Sequence, residues 1–151
     1  MAGKDERHEL FRWLEDRFGI SEGFFNDYLL FTRNKAWWLL RSSCFIMKAA
    51  HIKPSLIGLK AFQRVGRFVK PSTRMIQTFG HRASRAILDI DDSQLYLLLS
   101  GTSVPFGGDI ENGYVIISLH GRVLGLGLCI DGMVRSQLPR KGVSFLINRN
   151  S

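Results

Sequence analysis

The chain has 151 residues, of which 45% are hydrophobic and 11% aromatic. A chain of this length and composition can bury a core in one domain or in two small ones. This composition excludes a wholly disordered protein. Its formal net charge of +8 favours a polyanionic partner, namely RNA, DNA or an acidic membrane surface. The longest apolar run, residues 123–130, is far shorter than the roughly 20 residues of a membrane span, and the N-terminus lacks the apolar stretch of a signal peptide. We therefore expect a cytoplasmic protein with no membrane partner.

The first elements in chain order are a helix and a hairpin. Residues 5–18 carry apolar side chains at helical spacing, and Gly19 supplies a stop signal. Two apolar runs, residues 28–33 and 36–41, are separated by a two-residue polar turn. This pattern predicts a β-hairpin.

The middle of the chain alternates between strand and helix patterns. Residues 44–50 are apolar and fit either a strand or a helix, whereas residues 56–65 predict a strand that a turn at Gly66 follows. Residues 72–80 predict a helix, and Pro71 lies near its first turn, where proline is tolerated. The first half of the chain is therefore predicted to be α+β.

The second half changes character. Residues 86–90 predict a strand, and residues 91–93 cap a helix that runs to Leu99 and that Gly101 ends. Short apolar segments between glycine turns then predict further strands at residues 113–119, 122–130, 133–138 and 143–147. Many short strands joined by tight turns indicate a small closed or nearly closed barrel.

Positive charge is concentrated in one part of the chain. Not one Asp or Glu occurs between Asp27 and Asp89. That segment carries Arg33, Lys35, Arg41, Lys48, Lys53, Lys60, Arg64, Arg67, Lys70, Arg74, Arg82 and Arg85. A surface shaped only for solubility intersperses both signs, so the pattern indicates either a polyanion-binding face or a solvated basic face with no partner.

No pattern for a metal, cofactor or catalytic centre is evident. Cys44 and Cys129 are far apart among apolar neighbours, which predicts two buried thiols and a reducing compartment. The histidines do not cluster, and no paired-cysteine spacing occurs. Asp89, Asp91 and Asp92 precede the predicted helix, where capping explains them better than metal binding. We expect no cofactor, no metal and no catalytic residue.

Two adjacent tryptophans lie on one predicted strand. Trp37 and Trp38 should face opposite sides of it. One is expected in the core. The other could form a second core layer, a platform on which bases stack, or a protein-docking patch.

Several segments in order resemble a known family. Residues 113–117 (Gly-Tyr-Val-Ile-Ile), Gly121 and residues 124–127 (Leu-Gly-Leu-Gly) resemble the core of PUA domains, an RNA-binding module. Residues 131–140, which end in Leu-Pro-Arg, are similar to the PUA-like tails of Sun-family RNA cytosine methyltransferases, and residues 68–80 look like the segment that precedes the barrel there.

The resemblance implies an α+β protein of two packed lobes. Residues 1–79 would form an α+β lobe similar to the pre-PUA domain of small ribosome-biogenesis proteins, and residues 80–151 would form a small mixed β-barrel of the PUA type. The methyltransferases need a catalytic cysteine in a Pro-Cys pair, whereas here Ser precedes Cys44 and Leu precedes Cys129. No GxGxxG motif of a cofactor domain occurs either. We therefore expect this chain to share the RNA binding of the family but not its methyltransferase chemistry.

We predict from these features a non-catalytic RNA-binding protein. Its partner would be structured RNA, either tRNA or rRNA, in RNA modification or ribosome biogenesis, together with an RNA-modifying enzyme or ribosome-assembly factor. The candidate RNA-binding residues are Lys70, Arg74, Arg82, Arg85, Gly101, Arg122, Arg135, Arg140 and Lys141. Gly101 is predicted mainly as a helix cap, and the resemblance adds an RNA contact for the loop after it.

Other interpretations stay open. Gly125 and Gly127 predict close packing of strands in a tight barrel and not phosphate contacts. The main alternative function is a protein–protein adaptor that docks on a methyltransferase or ribosome-assembly factor without direct RNA recognition, which requires a contiguous exposed apolar patch. An enzyme acting on RNA is a third class, and it would require a cleft with perturbed titratable groups.

Overall fold

The computed structural model describes residues 1–42 and 58–138. The sequence-based predictions that lie outside these residues concern residues 44–50 and 143–147, Cys44, Arg140 and Lys141. The chain divides into two compact units, Met1–Arg85 and Ala86–Ser151. Both contain helices and a sheet, so the protein is α+β as the sequence predicts.

The N-terminal unit contains a four-stranded antiparallel sheet in the order β1-β2-β3-β4. Its elements are helix α1 (Lys4–Phe18), a 3-10 turn (Glu22–Phe25), β1 (Tyr28–Arg33), β2 (Ala36–Arg41), β3 (Leu59–Val65), β4 (Phe68–Pro71), helix α2 (Thr73–Phe79) and a second 3-10 turn (Gly80–Arg82). The predicted first helix and hairpin are both present. Asn34 and Lys35 adopt φ values of 51° and 61°, which is the backbone of the primed turns that match strand twist.

Aromatic side chains build the core of this unit. Phe11 of α1 stacks on Phe25 with ring centroids 4.5 Å apart and meets Phe62 of β3 edge-on at 6.1 Å. Phe79 of α2 contacts Phe25 and Tyr28 edge-on at 5.3 and 5.7 Å. Offset and edge-to-face pairs of this kind stabilise a core beyond the area they bury. They fix α1, the 3-10 turn and α2 against the sheet.

The adjacent tryptophans differ in environment. Trp37 is 3% exposed, its indole N–H donates to a carboxylate oxygen of Glu6 at 2.9 Å, and the guanidinium of Arg64 lies 5.3 Å from its ring centroid. Trp38 is half-buried. Trp37 is thus the core member of the pair.

The structure corrects the assignment of Pro71. The sequence places this proline in the opening turn of a helix, but it is the last residue of β4 and pairs with Phe62. Proline is acceptable there because β4 is an edge strand, where one N–H fewer breaks no ladder bond. The helix begins after Ser72, whose side-chain oxygen accepts a hydrogen bond from the Met75 N–H at 2.9 Å.

The C-terminal unit is a curled, half-barrel sheet in the order β5-β7-β8-β9-β6, with one helix. Its elements are β5 (Ile87–Ile90), helix α3 (Asp92–Leu99), β6 (Val104–Pro105), β7 (Gly113–Leu119), β8 (Arg122–Ile130) and β9 (Met133–Ser136). β5 pairs with β7 in parallel and the other pairs are antiparallel. This is the small mixed sheet of the predicted PUA-like module.

Close packing inside this sheet explains Gly127. A Cβ at this position would lie 2.7 Å from a methyl of Val134, 2.9 Å from a methyl of Ile117 and 3.1 Å from the Arg135 carbonyl oxygen. Ile117 and Val134 are fully buried. The prediction of close strand packing is confirmed at this glycine.

The boundary between the two compact units falls after Arg85, six residues beyond the boundary after residue 79 that the sequence suggests. The segment after α2 stays with the N-terminal unit because the Ser84 and Arg85 amides both donate to the Phe18 carbonyl, at 2.8 and 3.2 Å.

Within the described parts of the chain, the helices are too short or too polar to cross a lipid bilayer.

Candidate nucleic-acid interface

The predicted RNA-binding residues that the structure describes are divided between the two units. The N-terminal unit carries Lys70, Arg74, Arg82 and Arg85, and the C-terminal unit carries Gly101, Arg122 and Arg135. Arg140 and Lys141 lie outside the described residues. Each unit therefore offers its own candidate surface.

Two arginines of the N-terminal unit have structural contacts. The guanidinium of Arg82 lies 4.3 Å from the ring centroid of Phe24, a cation–π geometry. A guanidinium N–H of Arg85 donates to the Glu15 carbonyl at 2.9 Å, close to the end of α1. Both side chains are exposed, so each can present charge to solvent, but part of each arginine's bonding capacity serves the fold.

Lys70 and Arg74 flank the start of α2. Lys70 is half-buried on β4, and this burial lowers the pKa of its ammonium group. A phosphate brought to the ammonium would raise that pKa again, because an opposite charge favours the protonated form. Arg74 lies on the exposed face of α2, in its first turn.

The start of α3 is a capping site, as the sequence predicts. The Gln94 N–H donates to Asp91 at 2.8 Å, and the Asp91 N–H donates to the Gln94 side chain at 2.9 Å, which completes a capping box. A hydrogen bond from the Ser93 hydroxyl is the largest cause that lowers the pKa of Asp91, followed by the bond from Gln94. Asp89 accepts a bond from Ser118 at 2.6 Å.

Gly101 lies at the other end of α3. Its φ is 89°, a left-handed conformation, and its N–H donates to the Leu98 carbonyl at 3.2 Å. The hydroxyls of Ser100 and Thr102 lie 3.3 Å apart and are exposed. A Cβ at position 101 would meet only its chain neighbours within 4 Å. The loop thus offers two hydroxyls beside a glycine that has open space around it.

Strand pairing brings the Gly101 loop beside Arg135. β6 pairs with β9 so that Val104 lies opposite Val134 in antiparallel register. The same antiparallel register, extended by one residue, places Ser103 opposite Arg135, and Ser103 directly follows the Gly101 loop. Arg135 is exposed and pairs with Leu128 of β8, which in turn pairs with Tyr114 of β7. These three side chains form one cross-strand row. We call this row and the Gly101 loop the β9 edge, because β6 pairs only with Met133 and Val134 and leaves the rest of that side of β9 without a strand partner in the sheet.

Arg122 lies away from the β9 edge. It begins β8, whereas Arg135 pairs six residues further along that strand, which corresponds to about 20 Å at the rise of a β-strand. Within residues 1–42 and 58–138, neither guanidinium has a carboxylate at ion-pair distance. The two arginines can therefore contact one extended ligand but not a single phosphate.

Sequence reasoning missed two sets of residues, the first half-buried and the second exposed. Tyr114 and Leu128 share the row with Arg135, which the strand register reveals but the separate strands do not. Phe68 and Arg67 form the end of the β3–β4 hairpin, which was missed because β4 has only four residues and ends in proline. The run from Val65 to Phe68 around Gly66 was the signal that could have found this hairpin.

Among the described residues, no group of three His, Cys, Asp or Glu side chains could hold a metal ion. The buried thiol there is that of Cys129, which forms no disulfide. The described parts of both units present exposed cations, hydroxyls and apolar side chains that a ligand could contact.

Comparison with known proteins identifies the C-terminal unit. Residues 85–143 match the family model described as the Methyltransferase RsmF PUA domain, a stretch of fewer than half of the 151 residues. No curated protein matches the chain. The family match and the mixed half-barrel sheet agree, and the predicted resemblance to the tail of Sun-family methyltransferases is confirmed.

Proposed function

We propose that this PUA-domain protein is a non-catalytic RNA-binding protein that recognises structured RNA, tRNA or rRNA, in the cytoplasm. The PUA domain is a non-catalytic RNA-binding module, which makes RNA in general its expected partner. The process would be RNA modification or ribosome biogenesis, alongside a modifying enzyme or assembly factor, and residues 1–79 would act as a pre-PUA-like domain. The observation that carries the proposal is the family match over the unit that contains the β9 edge.

The β9 edge supplies the contacts that structured RNA requires. The Arg135 guanidinium can donate two parallel hydrogen bonds to one phosphate, a bidentate contact. The Thr102 hydroxyl can donate to or accept from a ribose 2′-hydroxyl, the group that distinguishes RNA from DNA. The Ser100 hydroxyl already donates to the Leu97 carbonyl at 2.8 Å, so it can act as an acceptor. Arg140 and Lys141 follow Arg135 in sequence, and in this proposal they extend the contact along the RNA backbone.

Further cations are proposed to hold the rest of the RNA. Arg122, about 20 Å along β8 from the position that pairs with Arg135, would contact a second point on the backbone. Lys70, Arg74, Arg82 and Arg85 would add phosphate contacts from the N-terminal unit. Such contacts fix the position of the ligand and carry little base specificity.

The test is equilibrium binding of the full chain to a fluorescein-labelled tRNA and to an rRNA hairpin at fixed salt. Arg122→Glu/Arg135→Glu should raise the Kd at least about tenfold, or about 1.4 kcal/mol, because two phosphate contacts are lost. Lys4→Glu/Arg12→Glu is the matched control, since it changes net charge equally on the exposed face of α1, where acidic residues already intermingle. Equal losses of affinity in both variants would show that net charge alone accounts for binding, and would overturn the assignment of phosphate contacts to Arg122 and Arg135.

One observation favours the adaptor as a second candidate. Ile130 and Met133 pair across the Asp131–Gly132 turn and are 53% and 43% exposed. Apolar side chains exposed side by side are typical of protein-docking sites. If RNA binding is the function, Ile130→Ser/Met133→Ser should leave the Kd for tRNA unchanged. If the protein is only an adaptor, wild type should bind no tRNA at physiological salt.

A further inference from the structure

The β3–β4 hairpin of the N-terminal unit ends in an exposed aromatic side chain. Phe68 is 75% exposed, more than any other aromatic residue that the structure describes, and Val65, its cross-strand partner, is 50% exposed. A phenylalanine left in water forgoes the burial that makes it stabilising in a core. The ring therefore has apolar area that a ligand or partner can cover.

Local backbone geometry holds the ring outward. Gly66 has a φ of 61°, whereas the φ of Arg67 is not positive, so the two residues form a turn with glycine first. This turn joins adjacent antiparallel strands tightly and fits their twist. The closing pair Val65–Phe68 therefore stands at the end of a short, hydrogen-bonded hairpin and not in a loose loop.

The neighbours of Phe68 along the chain include cations and no acid. Lys70 lies two residues from Phe68 on the same strand, which places both side chains on one face, about 7 Å apart along the strand. Arg67 is exposed in the turn itself. Arg64 belongs to the opposite face, over Trp37. No Asp or Glu occurs from residue 28 to residue 88, so the flanking sequence offers the hairpin no acidic neighbour.

We propose that this hairpin is a second RNA-contact site, in which Phe68 stacks on an unpaired base while Lys70 and Arg67 bind the neighbouring phosphates. A flat ring between cations matches a nucleotide, whose base presents a π-face and whose phosphates are anionic. A paired base is covered by its neighbours in a duplex, so the occupant is a single-stranded loop or end. The inference rests on RNA being the ligand, as proposed above, but it assigns a different site in the other unit.

The test compares four versions of the full chain, wild type and Phe68→Ala, Phe68→Leu and Phe68→Trp, for binding to a fluorescein-labelled ten-nucleotide oligouridylate. The alanine and leucine variants should both lose about tenfold or more in affinity, because neither side chain has a ring to stack. The tryptophan variant should bind at least as tightly as wild type. Tyr96→Ala, which removes a 58% exposed ring from α3, is the matched control and should bind as wild type.

The leucine variant separates stacking from general apolar contact. If Phe68→Leu binds the oligonucleotide as tightly as wild type, the ring is not a stacking platform and the inference is overturned. The inference is also overturned if all three Phe68 variants bind the oligonucleotide as tightly as wild type. If those variants then bind anionic phospholipid vesicles more weakly than wild type does, the hairpin is a membrane contact. A 5-iodouridine oligonucleotide should crosslink to Phe68 in wild type.

Failure of this inference is distinguishable from failure of the proposed function. If wild type binds tRNA and loses that affinity in Arg122→Glu/Arg135→Glu while the Phe68 variants behave normally, the PUA-domain site stands and the hairpin site falls. If wild type binds neither the tRNA nor the oligonucleotide, both proposals are overturned.

Discussion

At the residue scale, Gly127 shows how tightly the curled sheet is packed. Gly127→Ala should destabilise the protein by about 1–3 kcal/mol, because the new methyl would overlap two buried side chains and a backbone carbonyl. Urea denaturation monitored by tryptophan fluorescence and far-UV circular dichroism measures the change. Gly107→Ala is the matched control, because no atom lies within 4 Å of a Cβ there, and it should stay within about 1 kcal/mol of wild type. Equal stability of the two variants would contradict the packing described for β7, β8 and β9.

The Asp91 cap predicts a dependence of stability on pH. Hydrogen bonds from Ser93 and then Gln94 lower the pKa of Asp91 below its ordinary value of 3.8. A carboxyl group with a lowered pKa in the folded state stabilises the fold above its unfolded pKa, and that contribution is lost as the pH falls through the folded pKa. The melting temperature of wild type should therefore exceed that of Asp91→Ala by the largest amount near pH 7. This difference in melting temperature should narrow below about pH 4.

A second variant isolates the cause of this pH dependence. Ser93→Ala removes the hydrogen bond that contributes most to lowering the pKa of Asp91. It should make the melting temperature less sensitive to pH between neutral and acidic conditions. A pH profile that is identical in wild type and Ser93→Ala would contradict this account of the cap.

At the scale of elements, two phenylalanines of the N-terminal unit have opposite roles. Phe11 of α1 is fully buried, whereas Phe68 at the end of the hairpin is 75% exposed. Phe11→Ala should lower the free energy of unfolding by about 3–5 kcal/mol, and Phe68→Ala should change it by no more than about 0.5 kcal/mol. Chemical denaturation of both variants checks this. A large loss of stability in Phe68→Ala would show that the ring serves the fold and not a ligand.

Elements with a strong local signal were predictable from sequence. The hairpin of β1 and β2, the strands β7 and β8 and the capped helix α3 follow from alternation, turn residues and capping chemistry that act within a few residues. β4 and β6 were not predicted. They have four and two residues, too few for a pattern, and they exist because a neighbouring strand offers an edge with which to pair.

The candidate sites were only partly predictable for a related reason. The sequence located Arg135 and the Gly101 loop, but their adjacency depends on the pairing of β6 with β9, which joins residues far apart in the chain. Phe68 was missed because its exposure is a property of the fold. Apolar residues in a run are expected inside, and only the strand pairing shows that this one is at a free hairpin end.

At the scale of the whole molecule, charge and family agree on the class of ligand. The net charge of +8 indicates a polyanion, and the match of residues 85–143 to a PUA-domain model suggests RNA in general as that polyanion. The choice of structured RNA, and of the residues that bind it, is our proposal. In our proposals, each of the two units contributes one kind of site: the β9 edge makes phosphate and ribose contacts, and the β3–β4 hairpin stacks on a base.

The most direct test of the central claim is the salt dependence of tRNA binding by the full chain, wild type against Arg122→Glu/Arg135→Glu. Contacts to phosphate release counterions, so log Kd should rise linearly with log salt concentration in wild type. The variant should bind more weakly, with a slope smaller by about one for each lost contact, hence about two in all. Wild-type binding that ignores salt, or a variant with an unchanged slope and affinity, would contradict RNA recognition by the C-terminal unit.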